Sequence, residues 1–251
     1  MNATAAVAAA VVPAAGRGER LGPGAPKALR ELGGVPLLVH AVRALARSRA
    51  VGLVVVAAPP DGVAEVAALL DSHGLDGKDL RVVAGGATRQ ESVRLGLAAI
   101  PAETGIVLVH DAARPLVPVD VVDAVVAAVR AGAEAVVPAV PLADTVKRVA
   151  AAATPGAPEP VLDTPDRATL RAVQTPQGFL RDTLHEVHEK ALAEEADGGL
   201  PPVTDDAGLV ERFGGRVVVV PGHEEAFKVT RPLDLVLAEA VLARRRASDG
   251  F

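Results

Sequence analysis

Short apolar runs alternate with amphipathic stretches along this chain, and this alternation constrains the fold most. The runs that predict strands are 5–12, 51–58, 80–83, 104–109 and 133–138. Between them, stretches with helical periodicity cover 62–70, 89–100 and 120–131. Such alternation is typical of a doubly wound α/β sheet, in which ligands bind beyond the carboxyl ends of the strands. The sequence therefore predicts an α/β fold with a parallel sheet flanked by helices.

Composition narrows the class of protein. Half of the residues are apolar but only 2% are aromatic, so the core must be built from Val, Leu and Ala, as suits a parallel sheet covered by helices. The absence of cysteine excludes a disulfide framework, a thiolate zinc site and a cysteine nucleophile. A net charge of −5 offers no basic surface for nucleic acid, and no apolar run reaches the roughly 18 residues of a membrane span. We expect a globular cytoplasmic protein that binds neither nucleic acid nor membrane.

The chain is predicted to form a single domain over 1–251, with an insertion at 141–171. In the insertion, two extended pieces flank an Ala/Pro-rich tip at 150–160, which predicts a protruding hairpin arm. An arm without a core of its own usually packs against another surface, and a second copy of the chain is the simplest partner. A flexible insertion without a partner is the alternative. The remaining predicted elements are a helix at 180–195, a helix with Thr204 as N-cap, a strand at 217–220, a final helix from Thr230 to Arg246 and a disordered tail at 247–251.

A Gly-rich loop follows the first predicted strand, at 13–22. Its small residues let the backbone approach a ligand and point amide N–H groups at it: Ala14, Ala15, Gly16 and Gly18. Its fixed positive charges are Arg17, Arg20 and, just beyond the loop, Lys27. Amides and cations together suit a polyphosphate. The spacing matches neither a dinucleotide fingerprint, whose third glycine would fall one residue before Gly22, nor a P-loop; a plain strand-to-helix turn is the alternative.

Four further polar clusters accompany the loop. A glycine pair opens 85–92, and a carboxylate and a cation stand together in 110–115, both at predicted strand ends. The third cluster lies on the predicted arm and consists of Thr145, Lys147 and 163–167. The fourth follows the last predicted strand, at 227–230. None of them pairs a nucleophile with a base, which favours a reaction driven by electrostatic stabilisation.

Taken in order, these motifs resemble the 2-C-methyl-D-erythritol 4-phosphate cytidylyltransferases of the non-mevalonate isoprenoid pathway. The matching segments are P-A-A-G-x-G-x-R-(x)6-K, G-G-x-x-R-x-x-S-V, V-H-D-A-A-R-P, D-T-x-K, T-P-x-R, Q-T-P-Q and F-K-V-T, which span residues 11 to about 240. The resemblance implies a Rossmann-like mixed, mostly parallel sheet and a β-arm that embraces a second subunit. It also implies transfer of CMP from CTP to 2-C-methyl-D-erythritol 4-phosphate. The repulsion between two phosphates in such a transfer requires cations and a Mg²⁺ ion, which we expect to be held mainly through the CTP phosphate oxygens. One departure is Ala28, where the family often has Gln.

The resemblance implies roles for individual residues. The cations that match transition-state stabilisers are Arg20 and Lys27, and those that match residues positioning the acceptor are Arg167 and Lys228. Cytidine contacts are implied for Ala14, Ala15, Gly16, Gly86, Ala87 and Ser92. Contacts to the acceptor, some of them across the dimer, are implied for Asp111, Arg114 and Thr145. The predicted substrate site is completed by Gly18 and Ala112, and no side chain is predicted to be a metal ligand.

Three other functions compete with this one. A cytidylyltransferase for another polyol phosphate, such as ribitol 5-phosphate, shares the loop and the aspartate motif. A nucleotide-binding protein without turnover would have no use for the full set of cations. An NAD-dependent oxidoreductase is disfavoured by the displaced glycine and by the lack of an acid that would bind the ribose.

Several polar residues have simpler interpretations. His185 and His188 lie three apart on a predicted helix and are interpreted as part of a solvated face rather than as a metal site. Asp205 and Asp206 are interpreted as a helix opening that satisfies the helix dipole. His110 is interpreted as a packed core histidine, whereas the neighbouring strand-end aspartate is interpreted as functional.

Overall fold

A computed structural model describes residues 7–16, 26–75, 79–152, 154–196 and 203–248 of the chain. The strands are β1 (Ala8–Pro13), β2 (Glu31–Leu32), β3 (Val35–Pro36), β4 (Val51–Ala58), β5 (Asp79–Ala84), β6 (Ile106–Val109), β7 (Ala135–Pro141), β8 (Arg148–Val149), β9 (Val161–Asp163), β10 (Arg171–Val173), β11 (Gln177–Leu180) and β12 (Val217–Pro221). The α-helices are α1 (Leu37–Arg47), α2 (Val63–Ser72), α3 (Arg89–Ala98), α4 (Val119–Arg130), α5 (Arg181–Ala196), α6 (Asp206–Arg212) and α7 (Pro232–Ser248).

The central sheet is mixed but mostly parallel. β4 and then β5 continue in parallel from one edge of β1, and β6 is parallel along the other edge. β11 runs antiparallel between β6 and β7, while β10 pairs antiparallel with the far end of β7 and β12 pairs with β7 in parallel. Within the described residues, these eight strands form one sheet. The predicted α/β fold is therefore confirmed.

Helices cover both faces of the sheet, because successive side chains of a strand point to opposite sides. In β1, Ala8, Ala10 and Val12 pack with α1, α2 and α4, whereas Ala9 and Val11 pack with α3, α5 and α6. The small side chains of β1 let both layers lie close to the sheet. The arrangement brings the carboxyl ends of β1, β4, β5 and β6 to one edge, where the predicted site residues follow them.

The arm is present as a hairpin. β8 and β9 pair antiparallel, and the side chains of Val161 and Leu162 are strongly exposed, at 57% and 61%. The extended piece predicted over 161–171 is interrupted by a 3₁₀ turn at Arg167–Thr169, after which β10 rejoins the central sheet. The hairpin therefore projects from the sheet with an apolar surface that the described residues of the chain leave uncovered.

Two local predictions were wrong, and some elements, among them α1 and β11, were not predicted. The N-cap of α6 is Asp205, not Thr204, because the Asp205 side chain accepts the Gly208 N–H at 2.9 Å. The final helix continues through Ala247 and Ser248, so those residues are not a disordered tail; 249–251 lie outside the described residues. β11 was not predicted, because a four-residue strand that contains a glycine leaves little pattern in the sequence.

Candidate active site

A cavity of about 210 Å³ opens where β1, β5 and β6 end. Its lining includes residues from all three strand-end segments and from the segment after β12: Pro13, Ala14, Ala15, Gly16, Lys27, Ala28, Gly86, Ala87, Thr88, Arg89, Ser92, Asp111, Ala112, Ala113 and Lys228. The structure therefore brings together four of the five predicted clusters. Arg17, Gly18 and Arg20, also part of the predicted site, lie outside the described residues.

The glycine turn after β5 packs directly on the loop after β1. Gly85 donates its N–H to the Ala58 carbonyl at 2.7 Å, and Ala14 donates to the Ala57 carbonyl at 2.8 Å. A Cβ on Gly85 would lie 2.8 Å from the Ala15 Cβ, closer than real Cβ atoms approach one another. Glycine at this position therefore allows the two loops to form one continuous wall of the cavity.

Ser92 braces the glycine turn from the first helical turn of α3. Its hydroxyl donates to the Thr88 carbonyl at 2.8 Å and accepts the Gly86 N–H at 3.1 Å, while the side chain of Glu91 accepts the Ala87 N–H at 2.7 Å. Thr88 caps the helix by accepting the Glu91 N–H. Three predicted cytidine contacts thus belong to one rigid turn, and Ser92 holds its shape.

Asp111 lies at the centre of the charged half of the cavity. Its Oδ2 is 2.8 Å from the Lys228 ammonium, and its Oδ1 is 3.3 Å from Nε of Arg89. Arg114 is the third cation, with Nε 3.9 Å from Oδ2. Burial alone would raise the pKa of Asp111, but the charges of Arg89 and Lys228 outweigh it and hold that pKa well below its usual value. Asp111 is therefore ionised at any physiological pH.

Arg114 connects two segments that meet at this site. Its Nη1 donates to the Ala226 carbonyl at 2.7 Å, two residues before Lys228, and its Nη2 donates to the Val173 carbonyl at 3.2 Å, at the base of the arm. The terminal nitrogens of Arg114 each hold a backbone carbonyl. This geometry favours a role in fixing the Lys228 segment against the arm, in addition to the predicted contact with an acceptor.

His110 is buried, as predicted, and orders the residues around Asp111. Its Nε2 bonds the Arg114 carbonyl at 3.1 Å, which leaves Nδ1 to accept from the Thr175 hydroxyl at 3.0 Å. Thr175 in turn accepts the Asp111 N–H at 3.0 Å. Burial lowers the pKa of His110 to about 4, so the ring is neutral near pH 7. The histidine fixes the backbone from which the Asp111 side chain projects.

Sequence reasoning missed the support beneath Arg89. Asp206 and His188, interpreted above as a helix opening and a solvated face, are both 1% exposed and contact each other. Asp206 also accepts from Nη1 of Arg89 at 2.7 Å. The solvated-face interpretation was wrong for His188. Asp205 and Asp206 do open α6, as predicted, but the pairing of Asp206 with Arg89 was missed, because the two residues lie 117 positions apart and no local pattern predicts such a contact. The one available signal was the position of Arg89 in the G-G-x-x-R motif, which indicated that this arginine lies near the predicted site.

The predicted arm residues do not line this cavity. Arg167 donates to the Ala143 carbonyl at 2.6 Å, and Lys147 donates to the Thr164 hydroxyl at 2.7 Å, so both hold the arm together. Thr145 is exposed beside them. The structure therefore separates the arm residues from the pocket of their own chain.

Neither a metal cluster nor a membrane span is found in the described part of the chain. No group of three or more His, Cys, Asp or Glu side chains there is arranged to hold a metal ion. None of the helices described is both long and apolar enough to span a membrane.

Comparison with known proteins adds an independent finding. Residues 8–244 match the family model described as IspD, 2-C-methyl-D-erythritol 4-phosphate cytidylyltransferase. A protein of that name from Streptomyces coelicolor is 72% identical over 97% of this chain and 87% of its own, and one from Streptomyces avermitilis is 71% identical over 97% and 94%. The crystal structure of 4-diphosphocytidyl-2C-methyl-D-erythritol synthase from Anaerococcus prevotii superposes with a TM-score of 0.78 at 28% identity, covering 94% of this chain and 96% of that one.

Acidification is expected to destabilise the fold through His110. Its folded pKa of about 4 lies below the value of roughly 6.5 for an unfolded histidine, so between these values protons bind the unfolded chain more tightly. The free energy of unfolding therefore falls as the pH drops through this window, by about 2 kcal/mol between pH 7 and pH 5 for this one group. Urea unfolding at the two pH values measures the loss.

Two variants isolate that contribution. His110→Gln removes the titrating ring and should reduce the difference between pH 7 and pH 5 by about 2 kcal/mol. His185→Gln changes an exposed histidine on α5 and should leave the difference as in the wild type. His40, whose pKa burial also lowers, contributes equally to all three proteins. The same pH dependence in the wild type and His110→Gln would contradict the assignment.

Proposed function

Because the chain belongs to the 2-C-methyl-D-erythritol 4-phosphate cytidylyltransferase family, we propose that it transfers CMP from CTP to 2-C-methyl-D-erythritol 4-phosphate. The products are 4-diphosphocytidyl-2-C-methyl-D-erythritol and pyrophosphate. An oxygen of the acceptor phosphate forms a bond to the α-phosphorus of CTP, in line with the bond to the β-phosphate that breaks. The observation that carries this proposal is the family match over residues 8–244, together with a cavity whose lining combines glycine turns with three cations, Lys27, Arg89 and Lys228.

The reaction needs no protein nucleophile. A phosphate monoester has a second pKa near ~6, so the acceptor is largely dianionic at neutral pH and needs no general base. Among the described lining residues, the hydroxyl of Ser92 braces the glycine turn and the hydroxyl of Thr88 caps α3. Neither is paired with a base that would activate it. These contacts support direct transfer between the two substrates.

The main barrier is repulsion between the two phosphates. At a separation of about 4 Å, each pair of unit charges repels by roughly 4 kcal/mol at an effective dielectric constant of 20. Lys27, at the start of a 3₁₀ turn beside the Gly-rich loop, lines the cavity and supplies positive charge that offsets this repulsion on the CTP side. The family resemblance assigns the same role to Arg20. The wall formed by Ala14, Ala15, Gly16, Gly86 and Ala87 holds the cytidine.

Lys228 holds the acceptor. Its ammonium has three N–H donors, and within the described residues Asp111 engages one of them at 2.8 Å, which leaves two for phosphate oxygens. Because Asp111 stays ionised, it keeps the ammonium in one place before the acceptor arrives. Asp111, with Ala112 beside it, then faces the hydroxyl groups of the substrates.

Mg²⁺ is proposed to arrive with CTP. Both oxygens of Asp111, the one carboxylate among the described lining residues, are engaged by Arg89 and Lys228. That arrangement suits an ion held mainly by phosphate oxygens and water, as Mg²⁺ often is. The bound ion would offset the charge on the phosphate oxygens of the attacked and leaving groups. Because the reaction draws on CTP, we place it in the cytoplasm.

The arm is proposed to complete the site of a second subunit. Arg167 and Thr145 lie outside the cavity of their own chain, yet the family resemblance gives them contacts with the acceptor. The arm also exposes Val149, Val161 and Leu162, an apolar surface of the kind that interfaces cover. A homodimer in which each arm reaches the partner's cavity satisfies both observations.

The activity itself is tested by an acceptor assay. With CTP and Mg²⁺, the protein should release pyrophosphate when 2-C-methyl-D-erythritol 4-phosphate is added. Ribitol 5-phosphate should support a rate lower by about 10²-fold or more, because a site built to bind one set of hydroxyls leaves its polar groups unpaired with another. An equal or faster rate with ribitol 5-phosphate would instead favour the alternative polyol cytidylyltransferase.

Lys27→Ala should lower kcat by about 10²-fold or more, the scale of one lost electrostatic contact in a transition state. Lys190→Ala removes the same charge from the exposed face of α5 and should leave kcat unchanged. Thermal unfolding should show that both variants fold. A Lys27→Ala enzyme with near-normal turnover would remove this loop from the mechanism.

Leu162→Asp should dissociate the dimer, because it places a charge in the proposed apolar interface. Sedimentation equilibrium should find a monomer, and the KM for the acceptor should rise by about tenfold or more as the partner's Arg167 is lost. Leu233→Asp makes the same change at a more exposed leucine on α7, 76% accessible, and should remain dimeric and active. A dimeric, fully active Leu162→Asp would contradict the role of the arm.

A further inference from the structure

A buried carboxylate lies behind the charged half of the cavity. Asp206, the first residue of α6, is 1% exposed. Its Oδ2 accepts from Nη1 of Arg89 at 2.7 Å, and its Oδ1 accepts from Nε2 of His188 at 3.0 Å. Burial alone would raise the pKa of Asp206, but Arg89 and His188 outweigh it and lower that pKa, so the carboxylate stays charged. A charge this deeply buried is costly unless its partners are held in place.

Asp206 is not needed to cap the helix on which it lies. The neighbouring Asp205 already accepts the Gly208 N–H at 2.9 Å, which is the N-cap contact. Both oxygens of Asp206 instead bond side chains from other helices, Arg89 on α3 and His188 on α5. Asp206 therefore contacts a residue that lines the cavity, Arg89, and neither of these two hydrogen bonds is made within α6.

Arg89 connects the buried carboxylate to the site. Nη1 is held by Asp206, and Nε lies 3.3 Å from Oδ1 of Asp111. The guanidinium is thus fixed at two points and occupies one oxygen of Asp111. The other oxygen, Oδ2, is left for Lys228 at 2.8 Å.

We propose that Asp206 is a positioning residue for the transfer reaction, acting through Arg89 to reserve one oxygen of Asp111 for Lys228. A guanidinium released from Asp206 would be free to turn its two-pronged edge onto Asp111, since paired N–H donors match both oxygens of a carboxylate. It would then compete with Lys228 for Oδ2 and shift the ammonium that holds the acceptor. His188 contributes by holding the second oxygen of Asp206. The inference rests on the proposed function and adds a residue that does not touch substrate.

Asp206→Asn tests the proposal, because the amide keeps the size of the side chain but loses its charge. We expect kcat/KM for 2-C-methyl-D-erythritol 4-phosphate to fall by about tenfold. The Kd of CTP, measured separately by calorimetry, should change by no more than about twofold, since the cytidine wall does not involve Asp206. Unchanged kcat/KM would overturn the proposal, and so would an equal loss in the binding of CTP.

Asp205→Ala is the matched control. It removes the cap of the same helix, so it should lower the midpoint of urea unfolding while kcat/KM stays as in the wild type. A similar kinetic loss in Asp205→Ala and Asp206→Asn would mean that α6 as a whole matters, which would overturn the specific role of Asp206.

A double-mutant cycle with Arg89→Gln shows whether Asp206 acts through Arg89. If it does, Asp206→Asn has no further effect on kcat/KM once Arg89 is replaced. A second tenfold loss in the double variant would overturn the proposal. Should Asp206→Asn fail to fold, His188→Ala releases the second oxygen of Asp206, and it should lower kcat/KM in the same direction with CTP binding retained. Full activity of His188→Ala would overturn the proposal.

The wild-type assay separates the two levels of inference. A wild-type protein that is inactive with CTP and this acceptor would overturn the proposed function, and with it the role of Asp206 in that reaction. An active wild type combined with a silent Asp206→Asn would overturn the role of Asp206 alone.

Discussion

The shared carboxylate of Asp111 is the interaction on which the site depends. A buried anion is costly in isolation, yet here Lys228, Arg89 and Arg114 surround it and keep it ionised. Each of these cations comes from a different segment of the chain. The anion therefore holds together the start of α3, the end of β6 and the segment after β12, and cations outnumber it among the described residues that line the cavity.

The sheet makes this convergence possible. Parallel strands bring their carboxyl ends to one edge, so residues far apart in sequence arrive side by side. Small residues then let the backbones approach: the Gly85 turn packs against Ala15, and a larger residue in its place would push the two walls apart. The result is a cavity with one part lined by small residues and glycine turns and another part lined by charged side chains.

The arm carries predicted site residues that do not line the cavity of their own chain. Arg167 and Lys147 are engaged within the arm, and the apolar tip beyond them is exposed. An arm of paired strands without a core is marginal alone. Dimerisation would bury that surface and deliver the arm's polar residues to a partner, so stability and catalysis would depend on the same contact.

The sequence by itself determined the fold class and most of the cavity. Periodicity is a local property, so it located β1, β4, β5 and β6, and the motifs predicted Lys27, Gly86, Asp111 and Lys228, all of which line the cavity. The paired aspartates correctly predicted a helix opening, with Asp205 as the cap and Asp206 in the first turn, but gave no sign of the contact with Arg89. The spacing of His185 and His188 suggested a solvated face, although His188 is buried. Only the tertiary structure decided three further features. Asp206 and His188 lie behind Arg89. Thr175 and His110 fix the backbone of Asp111. The strand β11 inserts antiparallel between β6 and β7. The physical reason is that these are pairings between distant segments, and a buried charge or an inserted strand finds its partner only when the whole core packs.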